Sequence, residues 1–202
     1  MANRALKIVK AFQTVVRCPC FRGHEGIEDH VEERWKRKDW EAILFQHKRA
    51  CRLRVVLALS SAELLTDKQY WELLRLVWSD SETIFANLPH WFNSLSRRDG
   101  GDPKRLFMTD EDRKAYDALP EEFTVYRGYQ PDYHNEDGLS WTLDREVAQR
   151  LGNRAWVYKF LDKPVEDPLN RGKVREMRVK KSDVFAMVTD RDEEEVILLN
   201  KG

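Results

Sequence analysis

The sequence has little cysteine, no long apolar run and no excess of charge of either sign. Its 202 residues include three cysteines, an odd number that favours free thiols in a reducing compartment over a disulfide framework. No apolar run approaches the roughly 20 residues that span a bilayer, and the first twenty residues are not typical of a secretory signal. Lys and Arg together number 35, as do Asp and Glu, so no overall positive field attracts nucleic acid. We therefore expect a cytoplasmic protein with neither a membrane nor a nucleic-acid partner.

Sequence motifs for several kinds of ligand are also lacking. There is no G-x-G-x-x-G or Walker-type loop, so the Rossmann and P-loop modes of nucleotide binding find no support. Cys18-x-Cys20, with His24 and His30, has the residue types of a zinc site. However, a C-x-C pair is tighter than the usual C-x₂₋₄-C of zinc fingers. We expect free thiols here, no metal site, and no histidine-based catalytic site.

Core-forming residues are plentiful, because 42% of the chain is hydrophobic and Trp, Tyr and Phe number 7, 6 and 9. Up to about residue 96, apolar residues recur at helical spacing. The polar segment SRRDGGDP (96–103) is the best candidate linker. Beyond it, six segments have the composition of strands: FTVYRG (123–128), GLSWT (138–142), WVYKFL (156–161), VREMRV (174–179), VFAMVT (184–189) and EVILL (195–199). The prediction is an α+β protein, with a helical N-terminal region at residues 1–100 and a compact, mostly β domain at residues 101–202.

Capping residues predict where individual helices begin. Thr66 with Gln69 forms a capping box that opens one helix. Ser79 with Glu82 predicts a second box, whose helix Pro89 limits. Two further helices are expected in the second half: DEDRKAYDAL (110–119) and DREVAQRL (144–151).

Three groups of polar residues lie at predicted strand ends in the second half. Arg127 ends the first strand, where its planar guanidinium could hold two phosphate oxygens, and Gly128 after it permits close approach of a ligand to the backbone. Ser140 and Thr142 share one side of the second strand, because side chains in a strand repeat every two residues. The acidic run 190–195 leads directly into the last strand, and by the same period its residues 193 and 195 share a face.

The order Arg, then Ser-x-Thr, then Glu-x-Glu, each on its own strand, resembles the Arg–Ser–Glu class of ADP-ribosyltransferases. The resemblance covers about the last 85 residues and is closest to small phage-encoded members, some of which act as anti-CRISPR or host-takeover enzymes. It implies an ADP-ribosyltransferase-like split sheet with NAD as co-substrate, and a mono-ADP-ribosyltransferase that modifies a host protein. The helical region would then recognise the partner or cover the sheet.

The resemblance also implies a role for each matching residue. Arg127 would bind the pyrophosphate or nicotinamide-ribose side of NAD, and the Gly128 backbone would bind the nicotinamide carboxamide. Ser140 would hold the catalytic glutamate, and Thr142 would support the strand. Glu195 would bind the ribose 2′-OH and stabilise the positive charge that develops as nicotinamide leaves.

The same resemblance leaves several choices open. Glu193 would contact or deprotonate the acceptor, with arginine as the favoured target. Glu194 takes the catalytic place of Glu195 if a bulge shifts the strand by one residue. Tyr129 is our choice for a ring that stacks on NAD, among aromatic residues that also include Tyr126, Trp156, Tyr158 and Phe160.

Two other functions compete with transfer to a protein. The same residues could hydrolyse NAD with water as the acceptor, as an NAD glycohydrolase does. Alternatively, the protein keeps the fold and acts as a non-catalytic inhibitor that covers a host target through its helical region. We favour transfer, because Glu193 accompanies Glu195 and a whole helical region is available to choose a partner.

Overall fold

The computed structural model describes residues 2–18, 20, 26–81, 84–97, 101–131, 136–153, 172–191 and 193–199. The chain divides into two compact units, Met1–Thr83 with Asp99–Gly101 and Ile84–Arg98 with Asp102–Gly202. The strand predicted at 156–161 lies outside the described residues.

The first unit is helical, as its sequence pattern predicts. Its helices are α1 (Ala2–Val16), α2 (Ile27–Arg37), α3 (Trp40–Gln46), α4 (Arg49–Ser61) and α5 (Asp67–Asp80). Helices α1 and α5 both pack against α4, and Trp40, Trp71 and Trp78 are buried in the core. None of the helices in the described ranges is long and apolar enough to cross a membrane.

The predicted helix ends are confirmed in part. The capping box at Thr66 opens α5. The second predicted box is wrong, because α5 continues past Ser79, whose hydroxyl donates to the carbonyl oxygen of Arg75 inside the helix. The expected limit at Pro89 is also wrong. Pro89 lies in the first turn of α6 (Leu88–Leu95), where the missing N–H of proline costs nothing.

The second unit combines helices with one sheet. After α6 come α7 (Pro103–Phe107), α8 (Asp110–Ala118), β1 (Glu122–Tyr129), β2 (Ser140–Thr142), α9 (Arg145–Gly152), β3 (Lys173–Lys180), β4 (Val184–Val188) and β5 (Glu195–Leu198). Short 3₁₀ helices precede α6 at Ile84–Asn87 and β4 at Lys181–Asp183. The α+β class is confirmed, as are these five strands, α8 and α9. Helix α7 was not predicted, although Asp102 before Pro103 is a regular helix start.

The five strands form one antiparallel sheet in the order β3-β1-β2-β5-β4. β1 pairs with β3 along its whole length. In contrast, within the described ranges the register between β1 and β2 is a single pair, Tyr126 with Thr142. On the other side of β2, Thr142 lies opposite Glu195 of β5. The short strand β2 therefore sits between β1 and β5 and brings residues distant in the sequence together.

Alternation along β2 and β5 separates core residues from polar ones. Trp141 and Val196 are buried in the apolar core, against which Ala115 and Tyr116 of α8 also pack. Ser140, Thr142 and Glu195 have the opposite parity, so their side chains point to the other face of the sheet. The bulky Trp141 between two hydroxyl residues is therefore a core residue.

Candidate active site

The centre of the candidate site is a contact between neighbouring strands. The Ser140 hydroxyl of β2 donates a hydrogen bond to Oε1 of Glu195 at the start of β5. Glu195 is only 3% exposed, although a buried carboxylate is costly unless it is paired and hydrogen-bonded. The antiparallel pairing of β2 with β5 fixes this contact, because it holds Ser140 diagonally across from Glu195 on one face.

Thr142 holds the segment that leads into β5. Its buried hydroxyl donates to the carbonyl oxygen of Glu193 across 2.6 Å and accepts from the backbone N–H of Asp144 across 3.1 Å. The N–H of Leu143 donates to the carbonyl oxygen of Glu194 across 3.3 Å. Thr142 thus ties the end of β2 to the acidic turn and positions the two glutamates that flank Glu194.

Glu194 differs from its two neighbours in backbone and exposure. Its φ is 41°, in the left-handed region that few residues other than glycine adopt. Its side chain is exposed, whereas Glu193 and Glu195 are buried. The structure therefore places Glu195, and not Glu194, beside Ser140.

Arg191 joins the two buried glutamates. Its Nη2 donates to Oε2 of Glu195 across 3.2 Å, and its Nε lies 3.9 Å from Oε2 of Glu193. Both oxygens of the Glu195 carboxylate thus have a donor, Ser140 on one and Arg191 on the other. Two donors from different elements restrict the rotation of this carboxylate.

Arg127 extends from β1 toward β2. Its Nη1 donates to the carbonyl oxygen of Ser140 across 2.7 Å, and its Nε is buried with no acceptor in the described part of the chain. Burial lowers the pKa of Arg127 to about 10, even though the carboxylates of Glu195 and Asp137 favour its charged form. The guanidinium remains protonated at neutral pH. The two carboxylates offset only part of the cost of burying this cation. An anionic ligand beside it would therefore be favourable.

Gly138 makes room for the Arg127 side chain. A Cβ added at Gly138 would overlap the guanidinium of Arg127. The Gly138 carbonyl oxygen also accepts from the indole N–H of Trp141 across 2.8 Å. A glycine is therefore needed at position 138 for the guanidinium to reach Ser140.

Gly128 approaches a helix. A Cβ at this position would overlap the carbonyl oxygen of Ala148 and the backbone nitrogen of Gly152, both in α9. The lack of a side chain at Gly128 lets α9 pack directly on β1, and this packing accounts for the glycine by itself. A ligand contact through its backbone stays a prediction.

Tyr129 lies at the end of β1, two residues beyond Arg127. Its hydroxyl interacts with Glu136, and partial burial together with that carboxylate raises the pKa of Tyr129. Arg175 on β3 pairs with Asp137 nearby. Tyr129 therefore belongs to a polar group at the edge of the site, and stacking of its ring on NAD stays a prediction. Trp156, Tyr158 and Phe160 lie outside the described residues.

The structure thus brings together Arg127, Ser140, Thr142, Glu193 and Glu195, and adds two residues that the sequence analysis missed. Arg191 is the one basic residue in the run 190–195. Because it stands four residues before Glu195, an ion pair between the two could have been predicted. The role of Gly138 could not be predicted, because the side chain that it contacts belongs to Arg127, eleven positions away in the sequence.

Comparisons with known proteins do not add a relationship. No protein-family model, no curated protein and no solved structure matches this chain.

Proposed function

We propose that this protein is a mono-ADP-ribosyltransferase, which moves ADP-ribose from NAD to a host protein on an ADP-ribosyltransferase-like split sheet. The observation that carries the proposal is the hydrogen bond from Ser140 to Glu195, with Arg127 bound to the backbone of the same serine. A buried, restrained carboxylate on β5 and a half-buried guanidinium on β1 then lie on either side of the short strand β2. The carboxylate would stabilise the positive charge that develops on the ribose, and the guanidinium would bind the negatively charged pyrophosphate.

The carboxylate acts on the ribose. When the bond between C1′ and the nicotinamide nitrogen breaks, its electron pair leaves with nicotinamide, and positive charge develops on the ribose ring. A carboxylate already held in place stabilises that charge without reorganisation, so its contribution is largest in the transition state. A carboxylate has about four lone-pair sites. In the proposed complex the ribose 2′-OH would donate to this carboxylate, as Ser140 and Arg191 do.

The guanidinium acts on the phosphates. Arg127 is charged at neutral pH although burial disfavours its charge. An anion beside it would relieve that penalty, and a pyrophosphate offers oxygens at a spacing that a planar guanidinium binds well. The Nε of Arg127, which has no acceptor among the described residues, is one donor that such a ligand could use.

The second glutamate acts on the acceptor. Arg191 contacts both Glu193 and Glu195, so the two carboxylates lie close together. Transfer forms a bond from the acceptor nucleophile to C1′ and releases one proton, for which Glu193 is the nearby base. With a protein guanidino group as acceptor, the products are nicotinamide, ADP-ribosylated protein and a proton.

Two neighbouring substitutions test the proposal. The purified protein is incubated with NAD labelled in the adenylate phosphate, with either bacterial lysate or the small guanidine agmatine as acceptor. Released nicotinamide and bound label are both measured. Glu195→Gln removes one charge from the buried carboxylate, whereas Glu194→Gln removes the same charge from the exposed side chain next to it. We expect labelling to fall at least 100-fold in Glu195→Gln and to change less than twofold in Glu194→Gln.

The products distinguish the competing functions. Nicotinamide and free ADP-ribose without labelled acceptor would indicate a glycohydrolase. An equal loss of labelling in both variants would show that activity depends on overall charge and not on the contact between Ser140 and Glu195. If the parent protein releases no nicotinamide with either acceptor, transferase activity is refuted and the binding inhibitor becomes the better explanation.

A further inference from the structure

A second cluster of reactive side chains belongs to the first, helical unit. The sulfur atoms of Cys18, Cys20 and Cys51 all lie within 4.8 Å of one another, and Cys18 and Cys20 are buried. These are all the cysteines that the chain has. Cys51 lies in a helix far from the other two in the sequence, so the spacing of Cys18 and Cys20 did not reveal the cluster.

The fold of the first unit brings these thiols together. Cys18 and Cys20 follow the end of α1, and Cys51 is the third residue of α4, against which α1 packs. The buried His47, which ends α3 and precedes α4, connects α1 with α3. Its Nε2 lies 3.0 Å from the carbonyl oxygen of Val15, and its Nδ1 lies 2.8 Å from that of Ile43. The cluster is therefore supported by the core and does not depend on a chance approach of side chains.

We propose that Cys18, Cys20 and Cys51 form a binding site for a thiolate-preferring d¹⁰ metal ion. Three sulfurs at about 2.3 Å from a common ion would lie about 4 Å apart, a spacing that small rotations of these side chains can reach. Thiolates are the ligands that favour Zn²⁺ and Cu⁺. Zn²⁺ would complete its tetrahedron with a solvent molecule, whereas Cu⁺ needs only the three sulfurs.

Backbone N–H groups and one arginine act on two of the thiols. The backbone N–H of Lys48 donates to Cys20, and that of Cys20 donates to Cys18. The charge of Arg54 also acts on Cys18. Three thiolates around Zn²⁺ or Cu⁺ leave net negative charge, which these N–H groups and the first turn of α4 partly offset.

The number of cysteines favours a metal over a disulfide. A disulfide uses two of the sulfurs and leaves the third thiol unused. A metal uses all three, and ion binding releases their protons without any oxidant. The alternative, a redox-active pair, is an outcome of the experiment below.

The experiment measures ion binding to the full-length, reduced and chelator-treated protein. Zn²⁺ and Cu⁺ are titrated in separate arms against chromophoric chelators specific for each ion. Co²⁺ in place of Zn²⁺ reports thiolate ligands by sulfur-to-metal absorption in the near ultraviolet. We expect one ion per chain and a rise in melting temperature on binding. Cys51→Ser should weaken binding at least tenfold, whereas Ser61→Ala on the same helix should leave affinity unchanged.

Three other outcomes would refute the proposed metal site. Binding by the parent no tighter than by the variant with all three cysteines changed to serine would refute it. An unchanged affinity in Cys51→Ser would also refute it. A mass loss of two hydrogens under mild oxidant, with no ion bound by the reduced protein, would show a redox pair instead. None of these measurements depends on NAD, so the outcome is independent of the transferase proposal.

Discussion

The guanidinium of Arg191 donates to Oε2 of Glu195 across 3.2 Å, while Ser140 donates to the other oxygen of the same carboxylate. One donor comes from the turn before β5 and the other from the neighbouring strand β2. A carboxylate held from two directions loses little freedom when substrate binds, and pre-organisation of this kind is a principal source of electrostatic catalysis. In the proposed transferase, Arg191 is therefore a positioning residue for Glu195.

Arg191→Ala should lower kcat for nicotinamide release about tenfold, equivalent to about 1.4 kcal/mol in the barrier. Without the guanidinium, Glu195 can rotate and the neighbouring Glu193 carboxylate repels it. Arg191→Lys should recover part of the loss, because an ammonium supplies the charge but lacks the planar pair of donors. Steady-state kinetics with NAD measure both variants.

The control for Arg191 is Arg178→Ala, which removes an exposed ion pair with Glu122 on the same sheet. Surface pairs of this kind contribute little, so Arg178→Ala should leave kcat unchanged. An increase in kcat in Arg191→Ala would contradict the positioning role and show that Arg191 obstructs the site.

Gly138→Ala should raise KM for NAD about tenfold with little loss of stability. The added methyl group would overlap the guanidinium of Arg127 and displace it from Ser140, while the backbone of residue 138 tolerates alanine. NAD titration and thermal melting separate the two effects. An unchanged KM would show that Arg127 adapts, or that it does not contact NAD.

Gly128→Ala provides the contrast. Here the methyl group would meet the backbone of α9 at Ala148 and Gly152, which cannot rotate away as a side chain can. We expect destabilisation of about 3 kcal/mol, in the range of overpacked cores. If Gly128→Ala melts like the parent, the packing of α9 on β1 is looser than the structure shows.

Thr142→Val should reduce both stability and activity. Thr142 is 2% exposed, and its hydroxyl serves both the carbonyl oxygen of Glu193 and the N–H of Asp144. Valine keeps the shape but leaves both groups unpaired, at a cost of about 1–3 kcal/mol. Denaturant unfolding and NAD turnover measure the two effects.

Thr124→Val on β1 is the matched control, because it makes the same change on a half-buried strand position. It should change stability by less than about 0.5 kcal/mol. Equal effects of the two variants would show that loss of a hydroxyl from the sheet, and not the contact with Glu193, is responsible.

The strands of the second unit could be predicted from the sequence because their local composition is decisive. FTVYRG, VREMRV and EVILL are rich in β-branched and aromatic residues, and the observed strands coincide with them within two residues. The parity of Ser140, Trp141 and Thr142 also follows from local pattern alone, because side chains alternate in any strand.

Other features could not be predicted, because they depend on which segments pack together. Ser79 has the sequence of a helix start, but the packing of α5 carries the helix through it. Gly138 is explained only by Arg127, and the two meet because β2 lies beside β1. Cys51 joins Cys18 in the same way, through the packing of α4 on α1.

Arg127→Lys should make NAD use depend on pH. Burial lowers the pKa of Arg127 to about 10, so the parent stays predominantly charged from pH 7 to pH 9. The same burial acting on a lysine, whose ordinary pKa of about 10.4 is already below that of arginine, would lower that pKa toward the neutral range. The variant would then lose its positive charge as pH rises through this range. Because only the charged form attracts the phosphates, KM for NAD should rise from pH 7 to pH 9 in Arg127→Lys and stay constant in the parent. Parallel pH profiles of the two proteins would show that the charge at position 127 does not bind the dinucleotide.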